Sequence, residues 1–172
     1  MAIEIERKFL VINDTWRSDN RVGIRCLQGY ITFGTQKIVR VRAYGKKGFL
    51  AVKANTKGLS RLEYEYEIPL ADALEMLERL CRKSVIEKTR YIVFFAARRW
   101  EIDVFSGANK GLVLAEIELA DEQELFLKPP WLGPEVTKDR RYLNCVLSRH
   151  PRGNPTSIPE NNSEEFRNDR KR

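Results

Sequence analysis

Charged side chains of like sign recur two residues apart at five places in the chain. The pairs are Glu4 and Glu6, Arg40 and Arg42, Glu63 and Glu65, Lys88 and Arg90, and Glu116 and Glu118. Residues two apart on a β-strand point to the same face, and like charges close together destabilise a sheet unless a counter-charge faces them. Carboxylates suit hard cations such as Mg²⁺ or Mn²⁺, whereas Arg and Lys bind phosphate oxygens. The combination indicates a site for a polyphosphate with a divalent metal ion.

The strands that must carry these pairs are predicted from a hydrophobic period of two. At the N-terminus, Ile3, Ile5 and Phe9 alternate with charged residues, which is typical of a strand. Similar runs cover about 22–33, 37–44, 48–54, 61–68, 86–95, 99–105 and 112–119, with glycine-containing turn signals between several of them. The pattern predicts about eight strands.

Three segments have helical spacing instead. They are 72–82, which follows Pro69, 121–127, which ends before Pro129, and 139–148, for which Thr137 is a candidate N-cap. Eight strands are enough to close into a barrel. The expected fold is therefore α+β: a closed eight-stranded antiparallel β-barrel, a tunnel with a charged lumen, and helices packed outside on its apolar wall. Charges inside such a tunnel are partly desolvated and couple strongly to a ligand.

Length and composition set the class of protein. The chain has 172 residues, 42% of them apolar, and a formal net charge of +7, which excludes collagen-like, disulfide-framework and wholly disordered proteins. Its three cysteines form no CxxC pair, and the N-terminus carries acids where a secretory leader needs an apolar run. We expect free thiols and a cytoplasmic location. The predicted domain organisation is one folded domain at 1–150 and a disordered polar tail at 151–172. The tail is predicted to be disordered because it has only two large apolar residues and cannot bury enough surface.

The charged pairs belong to a longer ordered pattern that resembles the CYTH superfamily, also called triphosphate tunnel metalloenzymes. In chain order it reads Glu4-Ile5-Glu6-Arg7-Lys8 (the ExExK signature), Gln28-Gly29-Tyr30, Arg40-Val41-Arg42, Lys53, Ser60-Arg61-Leu62-Glu63-Tyr64-Glu65, Glu87-Lys88-Thr89-Arg90-Tyr91, Asp103-Val104-Phe105, Glu116-Ile117-Glu118 and Arg141-Tyr142-x-Asn144. The resemblance covers residues 1 to about 148 and is greatest to the short bacterial branch.

The resemblance implies hydrolysis of inorganic tripolyphosphate, or of a related organic triphosphate, to pyrophosphate and phosphate with Mg²⁺ or Mn²⁺. It further implies roles for individual residues. The expected metal carboxylates are Glu4, Glu6, Glu116 and Glu118, with Glu63, Glu65 and Asp103 in support. The expected substrate-binding bases are Lys8, Arg40, Arg42, Lys53, Lys88 and Arg90. The expected catalytic residues are Glu6, Lys8, Tyr30 and Glu118. Glu67 and Glu101 share the charged face, but we expect them to lie at a solvated rim.

Three alternatives remain at this point. The same superfamily contains adenylate cyclases, which convert ATP to cyclic AMP and pyrophosphate, although the compact length and the Gln28-Gly29-Tyr30 match favour hydrolysis. A non-catalytic polyphosphate- or nucleotide-binding module would need the bases but not so many acids. A nucleic-acid binder is suggested only by the net positive charge. We expect a small triphosphate as the binding partner, no nucleic acid, no membrane, and a homodimer as the family-level expectation.

Overall fold

The computed structural model describes residues 3–17, 21–33, 37–55, 60–81 and 84–152. In chain order the strands are β1 (Ile3–Val11), β2 (Ile24–Phe33), β3 (Lys37–Tyr44), β4 (Lys47–Asn55), β5 (Ser60–Ile68), β6 (Ile86–Phe95), β7 (Arg98–Phe105), β8 (Val113–Glu118) and β9 (Leu132–Glu135). The helices are α1 (Leu70–Leu80), between β5 and β6, and α2 (Asn144–Leu147), near the end of the described chain. Two short 3₁₀ turns lie at Gly107–Asn109 and Arg140–Tyr142.

The nine strands form an antiparallel sheet in the order β5-β4-β3-β2-β6-β7-β8-β1-β9. A further antiparallel pairing joins β1 to β5 at three residue pairs, Ile3 with Leu62, Glu4 with Arg61 and Ile5 with Ser60. Most neighbouring strands are consecutive in the chain, but β2 lies beside β6, and β1 lies between β8 and β9. The prediction of a mainly antiparallel β fold with few helices is confirmed.

The apolar face of the sheet is covered unevenly. Helix α1 places Ala73 and Leu77 against Val41 of β3 in one buried cluster. A second buried cluster joins Phe9, Ile102 and Ile117 to Trp16, Trp100 and Trp131, so the tryptophans pack the wall. Tyr64 and Tyr66 on β5 are 46% and 62% exposed. The expected covering of the outer wall by helices is therefore found over β3 but not over the middle of β5.

Two of the three expected helices differ in the structure. Residues 121–127 form a bend and turn at 121–123 followed by irregular chain. Asp121 Oδ1 accepts a hydrogen bond from the Gln123 N–H and Glu124 Oε2 accepts one from the Ala120 N–H, and such local bonds compete with a helix. The segment 139–148 is broken at Leu143, whose ψ of 131° is extended. It forms a 3₁₀ turn and the short helix α2.

The expected N-cap at Thr137 is also wrong. Asp139 caps the 3₁₀ turn by accepting from the Arg141 N–H. Thr137 Oγ1 instead accepts from the Lys8 N–H at 3.0 Å and donates to Glu135 Oε1 at 2.7 Å, which ties the end of β9 to β1. The unpredicted strand β9 has only four residues, too few for a periodic pattern to reveal.

The other expectations on chain organisation are tested only in part. The predicted disordered tail at 151–172 lies outside the described residues from 153 onward. Cys26, Cys81 and Cys145 are free thiols, as expected. None of the helices in the described ranges has the length and apolarity needed to cross a membrane.

Candidate functional site

A cavity of about 300 Å³ lies on the charged face of the sheet, and each of the strands β1 to β8 contributes to its lining. Eleven of the predicted site residues line it: Glu6, Lys8, Tyr30, Arg40, Arg42, Lys53, Glu63, Glu65, Arg90, Glu116 and Glu118. Lys88 and Asp103 do not line it and lie buried beside Arg90. The side chain of Glu4 is outside the described set, although its backbone pairs with that of Arg61. The structure thus gathers residues that are more than 100 positions apart in the chain.

One side of the cavity is an ion-pair cluster on β3, β4 and β5. Lys53 and Glu63 are opposite each other across β4 and β5, and their Nζ and Oε2 atoms are 2.6 Å apart. The Arg40 guanidinium binds Glu63 at 2.8 Å and Glu65 at 2.5 Å, and Arg42 binds the other oxygen of Glu65 at 2.7 Å. Burial by itself would lower the pKa of Arg40, but the neighbouring charges, with Glu63 first, raise it. The acids of this cluster therefore fix the guanidinium and ammonium groups in the cavity wall.

A second cluster is centred on Arg90 of β6. Arg90 Nε and a terminal nitrogen each donate to Asp103 at 2.7 Å, the same terminal nitrogen donates to Glu116 at 3.0 Å, and the other binds Glu101. Lys88 also binds Asp103, whose side chain is completely buried. Burial would raise the pKa of Asp103, but Arg90 and Lys88 lower it, and the pKa of Arg90 is raised well above its usual value. Asp103 therefore fixes the side chains of Lys88 and Arg90 without lining the cavity itself.

Acids from β1, β7 and β8 meet in the third part of the site. Glu6 is opposite Glu118, and Lys8 is opposite Glu116, with 2.8 Å between Lys8 Nζ and Glu116 Oε1 and 3.4 Å between Lys8 Nζ and Glu6 Oε1. Burial would raise the pKa of Glu116, but Lys8 and Arg90 lower it, so the carboxylate stays ionised. A smaller cavity of about 250 Å³ shares Glu6, Glu116, Glu118 and Glu101 with the larger one. These acids therefore stand where the two cavities meet.

The donor set fits a hard divalent cation. Glu6, Glu116 and Glu118 line both cavities, and Glu6 lies opposite Glu118. Of these acids, Glu116 is bonded to both Lys8 and Arg90. In the described part of the chain, three or more acids, histidines or cysteines are nowhere grouped closely enough to hold a metal by themselves. Mg²⁺ is usually bound by one or two carboxylates together with substrate phosphates and waters. The arrangement of Glu6 and Glu118 is compatible with that mode.

Tyr30 lies in the cavity wall beside a residue to which sequence analysis assigned no role. The side-chain amide of Gln28 donates to the Tyr30 hydroxyl at 2.6 Å, and both residues are buried. Burial raises the pKa of Tyr30, so the hydroxyl stays neutral over the ordinary pH range. Gln28 was part of the quoted motif, and its position two residues before Tyr30 on one strand was the available signal.

Glu101 and the segment after β9 were also missed. Glu101 was expected at a solvated rim, but its side chain is only 17% exposed and bonds to Arg90 and to Arg99. Arg140, Leu143, Asn144, Cys145 and Val146 form the remaining wall of the larger cavity. Only Asn144 stood in a quoted motif, because the local pattern of this segment does not indicate where it packs. Glu67, by contrast, is exposed and paired with Lys47.

A buried asparagine holds this C-terminal wall in place. Asn109, in the 3₁₀ turn Gly107–Asn109, donates to the Leu147 carbonyl at 3.2 Å and accepts from the Arg152 N–H at 2.8 Å. Both bonds attach the segment carrying α2 to the loop between β7 and β8. The wall of the cavity is therefore fixed by hydrogen bonds that lie outside the cavity.

Comparison with known proteins shows which family this chain is similar to. The model of the CYTH domain matches residues 2–153. An inorganic triphosphatase of Acetivibrio thermocellus is 54% identical over 151 residues, covering 88% of this chain and 96% of that protein. An inorganic triphosphatase of Nitrosomonas europaea is 40% identical over 149 residues, covering 84% and 96%. A crystal structure of an inorganic triphosphatase is similar with a TM-score of 0.64 and 35% identity, covering 92% of this chain and 98% of that chain. Because the family match spans most of its length and agrees with the ordered motifs, the chain belongs to the CYTH domain family.

Proposed function

We propose that this protein is an inorganic triphosphatase, which hydrolyses tripolyphosphate to pyrophosphate and phosphate with a divalent metal ion. The observation that carries the proposal is the convergence of basic and acidic rows from eight strands on one small cavity. Its volume of about 300 Å³ is at the low end of the range for small-molecule sites. The names of the relatives at 54% and 40% identity support the same activity.

The proposal includes a closed tunnel. Eight strands in the order β5-β4-β3-β2-β6-β7-β8-β1 bring β1 back beside β5, and three residue pairs join these two strands. Closure would turn the charged face inward on all sides, which explains why every strand from β1 to β8 lines the cavity. A wall of this kind excludes water and strengthens each charge–phosphate contact.

Phosphate binding is assigned to bases in the wall. Lys8, Arg40, Arg42, Lys53 and Arg90 line the cavity, and phosphate oxygens would take over hydrogen bonds that carboxylates now accept. Arginine can give a phosphate two parallel bonds. Lys88 has a supporting role in this scheme, since it is buried and bonded to Asp103.

The acids have two separate roles in the proposal. Glu63, Glu65 and Asp103 orient bases, because each is bonded to two of them. Glu6 and Glu118, with Glu4 and Glu116, are the proposed metal carboxylates. A divalent ion bound there would neutralise phosphate charge and lower the pKa of a bound water. The predicted ion is Mg²⁺ or Mn²⁺.

The chemical step is an in-line displacement at a terminal phosphorus. A water oxygen forms the new P–O bond, the bridging P–O bond breaks, pyrophosphate leaves, and the proton of the water passes to solvent or to a phosphate oxygen. Arg90 and Lys8 neutralise the charge that builds on the phosphate oxygens, which is the main source of catalysis in phosphoryl transfer. The neutral Tyr30 hydroxyl can donate a hydrogen bond to a phosphate oxygen.

The test is phosphate release by the purified protein. Tripolyphosphate, ATP and thiamine triphosphate are assayed in parallel with Mg²⁺, Mn²⁺ or EDTA. We expect fast metal-dependent hydrolysis of tripolyphosphate and slow turnover of ATP. Conversion of ATP to cyclic AMP would favour a cyclase instead, and metal-independent binding without turnover would favour a binding module.

Several other expectations stay predictions. They are a folded domain at 1–150 with a disordered tail at 151–172, a cytoplasmic location, a homodimer, and the absence of nucleic-acid and membrane partners. The small triphosphate expected as the binding partner is compatible with the cavity volume of about 300 Å³. Size-exclusion chromatography with light scattering tests the dimer directly.

A further inference from the structure

Six bases and six glutamates among the described residues line the larger cavity. Five of these bases each have a carboxylate oxygen within 3.0 Å of a side-chain nitrogen: Lys8, Arg40, Arg42, Lys53 and Arg90. Arg140 differs from these five: within the described ranges, no carboxylate lies at ion-pair distance from its guanidinium. It is also exposed to solvent, so it stands where the cavity opens.

The local structure explains why no described carboxylate pairs with Arg140. The acid beside it, Asp139, is bonded to the next residue, with Arg141 Nε 2.9 Å from each oxygen and a terminal nitrogen 2.6 Å from Oδ2. Asp139 also caps the turn by accepting from the Arg141 N–H at 3.0 Å. Both carboxylate oxygens are therefore directed at Arg141, and Arg140 has no ion pair with Asp139 or with any other carboxylate in the described part of the chain.

We infer that Arg140 is a substrate-binding residue that captures a terminal phosphate of the triphosphate at the cavity opening. The bases deeper in the wall must exchange carboxylate partners for phosphate oxygens, whereas Arg140 can bind an anion without breaking an ion pair. A solvent-facing cation also steers an anionic substrate toward the opening. Arg140 lies outside the motifs that identified the other bases, and the inference rests on the triphosphatase activity proposed above.

The variant Arg140→Gln removes the charge and keeps much of the side chain. We expect KM for tripolyphosphate to rise about tenfold with kcat within about twofold, since one charge-assisted contact made before and during the reaction is lost. The fall of kcat/KM with added salt should become shallower. Arg140→Lys should give an intermediate KM, because it keeps the charge and loses the bidentate geometry.

Lys138→Gln is the matched control. Lys138 is exposed two residues before Arg140, and it does not line the cavity, so the same loss of one charge should leave KM near the wild-type value. Thermal unfolding of all three variants should match the wild type, because Arg140 holds no ion pair to a described residue. Equal KM values for Arg140→Gln and Lys138→Gln would overturn the inference.

A binding measurement separates this inference from the proposed function. Calorimetric titration with tripolyphosphate in EDTA needs no turnover, and Arg140→Gln should weaken binding about tenfold relative to Lys138→Gln. If the wild type binds but hydrolyses nothing, a weaker Arg140→Gln variant supports the inference while the proposed function fails. If the wild type hydrolyses and Arg140→Gln is unchanged in KM and in binding, only the inference fails. Absence of both binding and hydrolysis overturns both.

Discussion

Replacement of Asp103 by asparagine tests how far the buried acids hold the site together. The side chain of Asp103 has no exposure to solvent, and its two oxygens accept from Arg90 at 2.7 Å each and from Lys88. Asparagine has nearly the same shape but no charge. The variant would leave Lys88 and Arg90, which are 1% and 9% exposed, without their shared counter-charge.

The expected cost follows from the burial. Removing one partner of a buried ion pair destabilises a protein by about 3–5 kcal/mol, because the remaining charge stays desolvated. Glu101 and Glu116 still compensate Arg90, so we expect the lower end, about 3 kcal/mol. For a protein of this size, 1 kcal/mol corresponds to about 2–4 °C in Tm, and the expected fall in Tm is about 6–12 °C.

The dependence on pH has a definite sign. The pKa of Asp103 is lowered in the folded protein from its ordinary value of 3.8. Its contribution to stability is therefore present above the ordinary pKa and is lost as the pH falls through the lower, folded value. The difference in unfolding free energy between the wild type and Asp103→Asn should be constant near neutral pH and should shrink in strong acid.

The assay is urea unfolding followed by circular dichroism, with Glu67→Gln as control. Glu67 pairs with Lys47, and both side chains are more than half exposed, so its loss should cost less than about 1 kcal/mol. A cost below about 1 kcal/mol for Asp103→Asn would refute the reasoning, because it would mean that the two cations do not depend on this carboxylate.

Three further predictions concern the site and its wall. Glu6→Gln and Glu118→Gln should each abolish phosphate release from tripolyphosphate while leaving the fold intact by circular dichroism; near-wild-type turnover in either would remove that residue from the metal site. Tyr30→Phe should delete a late-ionising group from the tyrosine absorbance titration, because burial raises the pKa of Tyr30; a signal missing from the early part of the curve would contradict this. Asn109→Ala should cost about 1–3 kcal/mol in urea unfolding, since two hydrogen bonds to the C-terminal wall are lost; an unchanged midpoint would show that other contacts hold the wall.

Most strands could be predicted from the sequence because the period of two is a local property. Ile3, Ile5 and Phe9 already predict β1, and the eight expected strands agree with the observed bounds to within about two residues. The helix predictions were weaker, because side chains such as Asp121 and Asp139 bond to nearby backbone groups and compete with helix formation.

The candidate site was predictable to a similar extent and for a related reason. Like-charged residues two apart must share a face, so the rows containing Arg40, Glu63 and Glu116 could be recognised as a set. Glu101 was misplaced at a rim, since the alternation that puts it on the charged face carries no information on how deep it lies. Arg140 and Val146 were missed because they reach the cavity from a segment without strand periodicity.

The sequence by itself determined which face of each strand carries charge and of which sign, because alternation is built into the extended backbone. Only the tertiary structure decided which charges meet. β1 lies beside β8, and this long-range pairing brings Lys8 to Glu116. β2 lies beside β6, which joins the strands carrying Arg40 and Glu63 to those carrying Arg90 and Glu116. Pairing between distant strands depends on the packing of the whole sheet, so no local pattern could reveal it.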